Sequence, residues 1–548
     1  MKPRVRWWLV GVSGIATVFR FHGLFNNTFY ADEALFATWA RLIAVWRDPL
    51  LQAQPVDKPP LLFYLQALFY PLQGPVEWAA RLPNFIASIL CVPLVGLLAW
   101  HLYRDGKTAV LAATILALSP LAIQFAPTAF TDPLLTTLLC ASLTVIVMLS
   151  KRQQIAAPMT QKLAHPVVIP RAWAERLNIV KPAEVSAEEP LHSNPIGIPR
   201  RRRTGITARW SGLFFGLALA TKYQALLFLP LLVGMALLSG WGKREWGHWL
   251  MGLFPVLLLL WLWDIARTDT FSLWSAQINN YGGLRLIWSW ELWPRLDDWW
   301  QLWQQAWGTA VVAAGFWVVA LLSLIRYPLS VIRKRKTDYR LPITENRLPI
   351  TDHRSSDTLL ILFTITYLAL HWLLAVPIWD RYLLPLLPLT VVLLARGWRR
   401  LEIGYSGLLV PWHGFQSLLS SLLLLLLLIP AFKARSGQPT ADNGTAQIAT
   451  WLADAPYGTV LYDHWYSWHW RYHFFDKRVF VNWFPYPAAL AEDLAVFGHD
   501  GHPRYLVLPA DDRSDPVRRA VQSADFTLCP LVSDDLNRLT LYAIVEAE

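Results

Sequence analysis

Long apolar runs separated by short polar stretches fill the chain up to about residue 431, and then the rhythm changes. A helix crosses a bilayer with about 20 apolar residues. Runs of that kind lie near 7–25, 81–102, 108–126, 133–150, 209–223, 225–241, 249–264, 307–325, 358–376, 382–396 and 408–431. They predict an α-helical polytopic membrane protein with about eleven transmembrane helices. The first run lacks a small-residue cleavage site and continues into Arg20 and Phe21, so it reads as an anchor and not as a signal peptide. Residues 33–47 and 61–72 are rich in Leu, Phe, Trp and Tyr but too short to span, which suits helices lying in the interface plane. Beyond 431, strand-like runs (Thr459–Asp463, Arg478–Trp483, Tyr505–Pro509) alternate with helix-like ones (Ala446–Leu452, Ala488–Phe497, Val517–Ser523). That alternation predicts a small C-terminal α/β domain. The expected division is a transmembrane domain over 1–431 and a soluble domain over 432–548.

Composition agrees with this pattern. Of 548 residues 55% are hydrophobic and only 16% charged, where a soluble chain carries about a quarter charged. The 31 tryptophans suit the membrane–water boundary. A net charge of +11 raises nucleic acid as a partner, but the basic residues sit between apolar runs, where they set orientation. Nucleic acid is excluded on that ground. With Met1–Arg6 in the cytoplasm, the same face receives Arg104, Lys107, the stretch 151–208, Lys243–Arg244, Arg333–Lys336 and Arg399–Arg400. The other face receives 26–80, 127–132, 265–306, 377–381 and everything after 431. That arrangement puts the soluble domain outside the cytoplasm and the chain in the plasma (inner) membrane. The basic inserts 151–208 and 326–357 read as disordered linker. The second contains the repeat Arg340-Leu-Pro-Ile-Thr344 and Arg347-Leu-Pro-Ile-Thr351, with no apolar face to bury. Trp288, Trp290, Trp293, Trp299, Trp300 and Trp303 in 265–306 read as an aromatic belt. Cys91, Cys140 and Cys529 are scattered and indicate neither a disulfide framework nor a Cys metal site.

Residues able to do chemistry gather on the outer face. Tyr30-Ala-Asp32-Glu33 follows the first span. Asp32 suits the N-cap of a helix starting at Glu33, and it also suits a catalytic carboxylate held rigidly by that cap. Asp57-Lys58-Pro59-Pro60 is a stiff turn that fixes a cation near the bilayer surface, as an interfacial anchor or as a phosphate contact. Thr131-Asp132-Pro133 stands at the mouth of a hairpin between spans, where a solvated turn or an N-cap is the plain alternative to function. Lys222 lies within an otherwise apolar run, and charge there faces a cavity or snorkels to the interface. Asp380-Arg381-Tyr382 opens the tenth run, as a local salt bridge or as an anion holder. Carboxylates beside cations at a membrane surface fit a reaction whose leaving group is a lipid phosphate.

Asp32-Glu33, Asp57-Lys58-Pro59-Pro60, Thr131-Asp132-Pro133, the Gly-Leu-Ala-Leu-Ala-Thr-Lys222 run and Arg381-Tyr382-Leu-Leu-Pro385 occur in an order that resembles the polytopic glycosyltransferases of the GT-C superfamily. They look most like the protein O-mannosyltransferases and the lipid A aminoarabinose transferases. The resemblance covers roughly residues 1–400. Asp57 departs from the aminoarabinose transferases, which prefer Glu before the Lys, and this leaves the substrate open.

The resemblance implies transfer of a single sugar from a polyprenyl-phosphate donor to an acceptor hydroxyl on a lipid, protein or glycan, outside the cytoplasm and with inversion. It implies Asp32 as general base and Glu33, Asp57, Lys58, Asp132, Lys222, Arg381 and Tyr382 in substrate binding. No cofactor is required, although the outer-loop carboxylates are able to hold a divalent cation. A lipid-linked sugar transporter or flippase is the rival reading, and a membrane scaffold without catalysis a second. No duplicated halves support a transporter, and the charged residues cluster on one face and not at the midplane. Asp463, His464, His469 and His473 form a separate aromatic, His-rich stretch. His469 and His473 have a metal-ligand spacing, but packing or carbohydrate contact is the expected use.

Overall fold

The structure, a computed structural model, describes residues 1–26, 28–150, 200–267, 285–322, 354–405, 413–437 and 443–547. Helices dominate up to residue 434, and a five-stranded sheet lies beyond. The apolar helices are those of a multi-pass membrane protein. Among the described residues four are long and apolar enough to cross a bilayer: Pro3–Phe25, Glu77–Tyr103, Lys243–Ile265 and Ser355–Leu373. A fifth exists only if Ser289–Trp307 and Ala310–Leu321, bent by 91°, form one broken span. Among the described residues, length and composition alone leave the expected count of eleven unconfirmed. The other predicted runs resolve into shorter apolar helices, among them Gly106–Ala117, Asp132–Met148 and Tyr223–Leu238.

The physical reason is that hydropathy averages across breaks. The predicted run 108–126 is interrupted at Ser119, whose hydroxyl caps a second helix, Pro120–Phe125. The bend after Trp307 falls at Gly308, whose φ of +79° only glycine adopts cheaply. Where helices are long, small residues bring them together. A Cβ on Gly212 would lie 1.9 Å from the Trp249 carbonyl oxygen, and one on Gly252 2.0 Å from that of Arg209. The helices Arg200–Leu219 and Lys243–Ile265 thus touch backbone to backbone.

Most of both predicted inserts lies outside the described residues. Their inner ends are corrected: one helix begins at Arg200 and another at Arg354, earlier than the predicted boundaries of 208 and 357. The two predicted interfacial helices are present as Ala31–Ala44 and Leu61–Gln73. The tryptophan-rich segment is itself helical over Leu292–Trp307, with Trp299 and Trp303 buried and Trp293 exposed.

Beyond residue 443 the strands are β1 (Thr459–Asp463), β2 (Val479–Trp483), β3 (Arg504–Pro509), β4 (Phe526–Ser533) and β5 (Leu539–Glu546), ordered β2-β1-β3-β5-β4. β1 pairs in parallel with β2 and β3, whereas β5 is antiparallel to β3 and β4. Side-chain alternation assigns the two faces. Leu461, Val507 and Leu541 meet Ile448 and Trp470 on one. On the other, Tyr462, Leu506 and Leu508 meet Leu490, Leu494, Val517 and Val521. The helix Ser467–His473 between β1 and β2 also packs on Ala31–Ala44, which joins this unit to the membrane part.

Candidate active site

Ala31–Ala44 begins two residues earlier than the sequence predicts, and Asp32 does not cap it. Glu33 reaches back instead, its Oε2 accepting the Tyr30 N–H at 3.0 Å. Glu33 is 1% exposed. Its Oε1 accepts the Ala129 N–H at 2.6 Å and faces Arg81 Nε at 3.4 Å. Arg81 also donates to the Thr28 carbonyl at 3.0 Å. With its oxygens committed to the structure, Glu33 ties the first outer loop to the 127–131 turn behind the site.

Asp32, one residue earlier, points the other way. Its side chain is 45% exposed and accepts from Arg381 Nη2 at 2.9 Å, across 349 residues of sequence. Arg381 lies over the Phe130 and Trp379 rings at 4.6 and 4.9 Å. Asp132, placed in substrate binding with a solvated turn or N-cap as the alternative, is the buried first residue of its helix and accepts from Lys222 Nζ at 2.7 Å. Lys222 is not inside a helix. It occupies the break between Arg200–Leu219 and the 3-10 turn Tyr223–Phe228, with its ammonium 4.7 Å from the centre of the Tyr382 ring. Lys58 pairs with its neighbour Asp57. The two lysine-bearing turns are linked, because the Leu61 N–H donates to the Ala220 carbonyl at 3.0 Å.

These groups line one cleft. Asp32, Asp57, Lys58, Asp132, Lys222, Arg381 and Tyr382 share it with Leu35, Phe36, Phe130 and Thr131. Glu33 is not among its walls. The cleft holds about 60 Å³, room for a few waters at roughly 10–15 Å³ each. Three carboxylates face three cations, each pair within ion-pair distance. Such a site can bind an anion only by exchanging partners: a phosphate that takes a cation releases a carboxylate.

Supporting residues not anticipated from sequence include Arg81 behind Glu33, and Arg267, which donates to the Leu51 and Gln54 carbonyls at 3.1 and 2.9 Å and so anchors the loop leading to Asp57. Arg81 opens an apolar run four residues after Glu77, and that local acid hides from the sequence the distant Glu33 that Arg81 faces. Tyr367 donates to the Tyr382 carbonyl at 2.8 Å and receives a bond from Gln224. The histidines of the C-terminal stretch are not gathered with acids. Among the described residues no group of three or more His, Cys, Asp or Glu side chains lies together as metal ligands would.

Residues 57–160 match the family described as dolichyl-phosphate-mannose-protein mannosyltransferase. In fold the chain is similar to ArnT from Cupriavidus metallidurans bound to undecaprenyl phosphate, with TM-score 0.56, 14% identity and 98% of each chain covered. It is also similar to the Archaeoglobus fulgidus oligosaccharyltransferase in the apo form, with TM-score 0.53, 13% identity, and 100% of this chain and 75% of that chain covered. No curated protein matches the chain in sequence. The chain therefore has the fold of these two membrane proteins, in keeping with the GT-C resemblance of its motifs. The matched family model covers residues 57–160 alone, which hold Asp57, Lys58 and Asp132 of the cleft.

Proposed function

We propose that the chain transfers one sugar from a polyprenyl-phosphate donor to an acceptor hydroxyl at the extracytoplasmic face of the plasma membrane, with inversion at the anomeric carbon. The carrying observation is the pairing of an exposed carboxylate, Asp32, with Arg381 on the rim of a cleft that holds two further cations. The acceptor oxygen attacks the anomeric carbon while Asp32 takes its proton. The bond from that carbon to the phosphate oxygen breaks, and its electron pair leaves with polyprenyl phosphate. A positioned base contributes about 10²–10⁴-fold. Lys58, Arg381 and Lys222 face the developing charge, where fixed donors act most strongly.

The ion pairs give this step an order. Arriving phosphate competes with Asp32 for Arg381, so donor binding frees the base that the next event needs. Protein cations are placed to supply the countercharge without a divalent metal, and the EDTA arm of the test reads whether the cleft carboxylates hold one. Asp132 holds Lys222, and Tyr382 shapes the wall beside it. Undecaprenyl phosphate, the ligand of the similar ArnT structure, is the carrier to try first.

The test is transfer by the purified full-length protein. Labelled polyprenyl-phosphate sugars and a membrane extract are supplied to wild type and to Asp32→Asn, with and without EDTA. Label on an acceptor with wild type, unaffected by EDTA and lost in Asp32→Asn while carrier binding persists, is the expected outcome. Equal transfer by both proteins moves the base elsewhere, to Asp132 first. Carrier binding without any transfer favours the flippase.

A further inference from the structure

We propose that the helix Ser467–His473 of the C-terminal domain is a positioning element for Asp32, acting through His469 and Tyr472; this rests on the reading of Asp32 as base. The His-rich stretch found no use in metal binding, and the structure gives it another. His469 Nε2 lies 3.0 Å from the Phe29 carbonyl oxygen, three residues before Asp32, and 3.0 Å from Asn443 Nδ2; in its Nε2–H tautomer it donates to the carbonyl, and Asn443, itself a donor, is then only a neighbour. His469 is buried, and burial lowers its pKa to about 4. Near neutral pH the ring is uncharged, and the Nε2–H tautomer is the one that serves the carbonyl.

Tyr472 grips the same segment at other points. Its ring meets Phe29 edge-on, with centroids 4.9 Å apart, and its hydroxyl donates to the Pro75 carbonyl at 2.6 Å. Its own carbonyl accepts from Arg41 Nη1 at 3.2 Å, near the far end of Ala31–Ala44. Arg41 in turn pairs with Asp476 and lies 4.3 Å from the centre of the Phe475 ring. One short helix thus bonds to the lead-in of Asp32's helix, to its last turn and to the start of the next long helix.

Simple docking would account for contact but not for its placement. A half-exposed Asp32 has little packing to fix its backbone, and Arg381 holds it only at the carboxylate tip. Further restraint on the first turn comes from Glu33 and the buried Ala34 on the inside, from Tyr30 against Phe130, and from His469. A base must sit within a fraction of an ångström of its working place, and a 1 Å error can cost about 10²-fold.

The experiment uses full-length protein in detergent with labelled polyprenyl-phosphate sugar, and compares His469→Leu, His469→Gln and Tyr472→Phe. It reads kcat, KM for the donor, and hydrogen exchange at the Tyr30–Glu33 amides. His469→Leu is expected to lower kcat about tenfold or more with donor KM within about twofold. Its Tyr30–Glu33 amides exchange faster, while those of Leu61–Gln73 do not. His469→Gln keeps a donor and recovers most of kcat. Tyr472→Phe, which removes one hydroxyl and keeps the ring, loses about threefold and serves if His469→Leu does not fold. Wild-type kcat in His469→Leu and Tyr472→Phe, or a Gln variant as poor as the Leu variant, overturns the proposal. If wild type itself transfers nothing, the transferase reading falls separately. Unchanged exchange in the variants then overturns the positioning role as well.

Discussion

Asp32 and Glu33 are consecutive carboxylates on one helix turn, yet they belong to two regions with opposite physics. Glu33 sits behind the cleft, 1% exposed, with Arg81, the Ala129 N–H and the Tyr30 N–H around it. Asp32 sits on the cleft rim, 45% exposed, with Arg381 alone. A buried charge with several partners is costly to disturb. A half-solvated one with a single partner is easily exchanged. Burial thus commits Glu33 to the structure and leaves Asp32 with a partner it can exchange. The same division separates the Asp132–Lys222 pair, deep in the cleft, from the Asp57–Lys58 pair at its edge.

The sharpest way to break this contrast is Glu33→Ala. It strands Arg81 in the interior and is expected to destabilise the protein by about 3–5 kcal/mol. Thermal unfolding in detergent reads this directly, and unaltered stability would erase the distinction between the two regions. Next in size is Asp32→Asn, with transfer down about 10²–10⁴-fold and a melting temperature close to wild type. A large loss of stability in that variant would make Asp32 structural too.

Lys58→Met removes the cation nearest the cleft edge. One charge-assisted hydrogen bond of about 1.5–3 kcal/mol predicts a 10- to 100-fold weaker response to donor concentration. An unchanged donor KM would assign Lys58 to anchoring alone.

A pH slope in the C-terminal domain supplies the last test. Asp463 ends β1 with its carboxylate buried, accepting the Tyr466 N–H at 2.9 Å, and burial pushes its pKa up to about 6. A raised carboxylate pKa favours the fold below the unfolded value near 4, and that contribution fades as pH rises through 6. The shift corresponds to about 3 kcal/mol. Asp463→Asn removes the dependence, so its stability relative to wild type should rise between pH 4 and 6. Any fixed penalty of the amide does not vary with pH, and the slope alone tests the point. His473 opposes this term, since burial lowers its pKa to about 4 and protonation there favours unfolding as pH falls.

Much of the architecture was readable in advance, and the failures have physical causes. β1, β2 and β3 stand where alternation and branched residues put them. β4 was hidden because Cys529-Pro530 interrupts it, and the structure accommodates that proline with a register shift between Pro530 and Val532. β5 carries a plain alternation, Leu539 and Leu541 inward, that loses its meaning only when β4 is missing beside it. The span count is left unconfirmed: a cap at Ser119 breaks the helix inside the run 108–126, while Lys222 and Gly308 mark breaks beside run boundaries.

By itself the sequence determined the membrane class, the GT-C resemblance and the set of charged residues at the cleft. These depend on local composition and on motif order, which one chain displays without folding. The tertiary structure decided who partners whom. Arg381 stands next to Asp380 in sequence but binds Asp32 through its side chain, and Lys222 finds Asp132 across 90 residues. It also decided that Glu33 turns inward and Asp32 outward, because two successive residues on a helix point about 100° apart. Which of the two meets solvent depends on what packs against that helix, and here the 127–131 turn and the helix Ser467–His473 are contributed by remote parts of the chain.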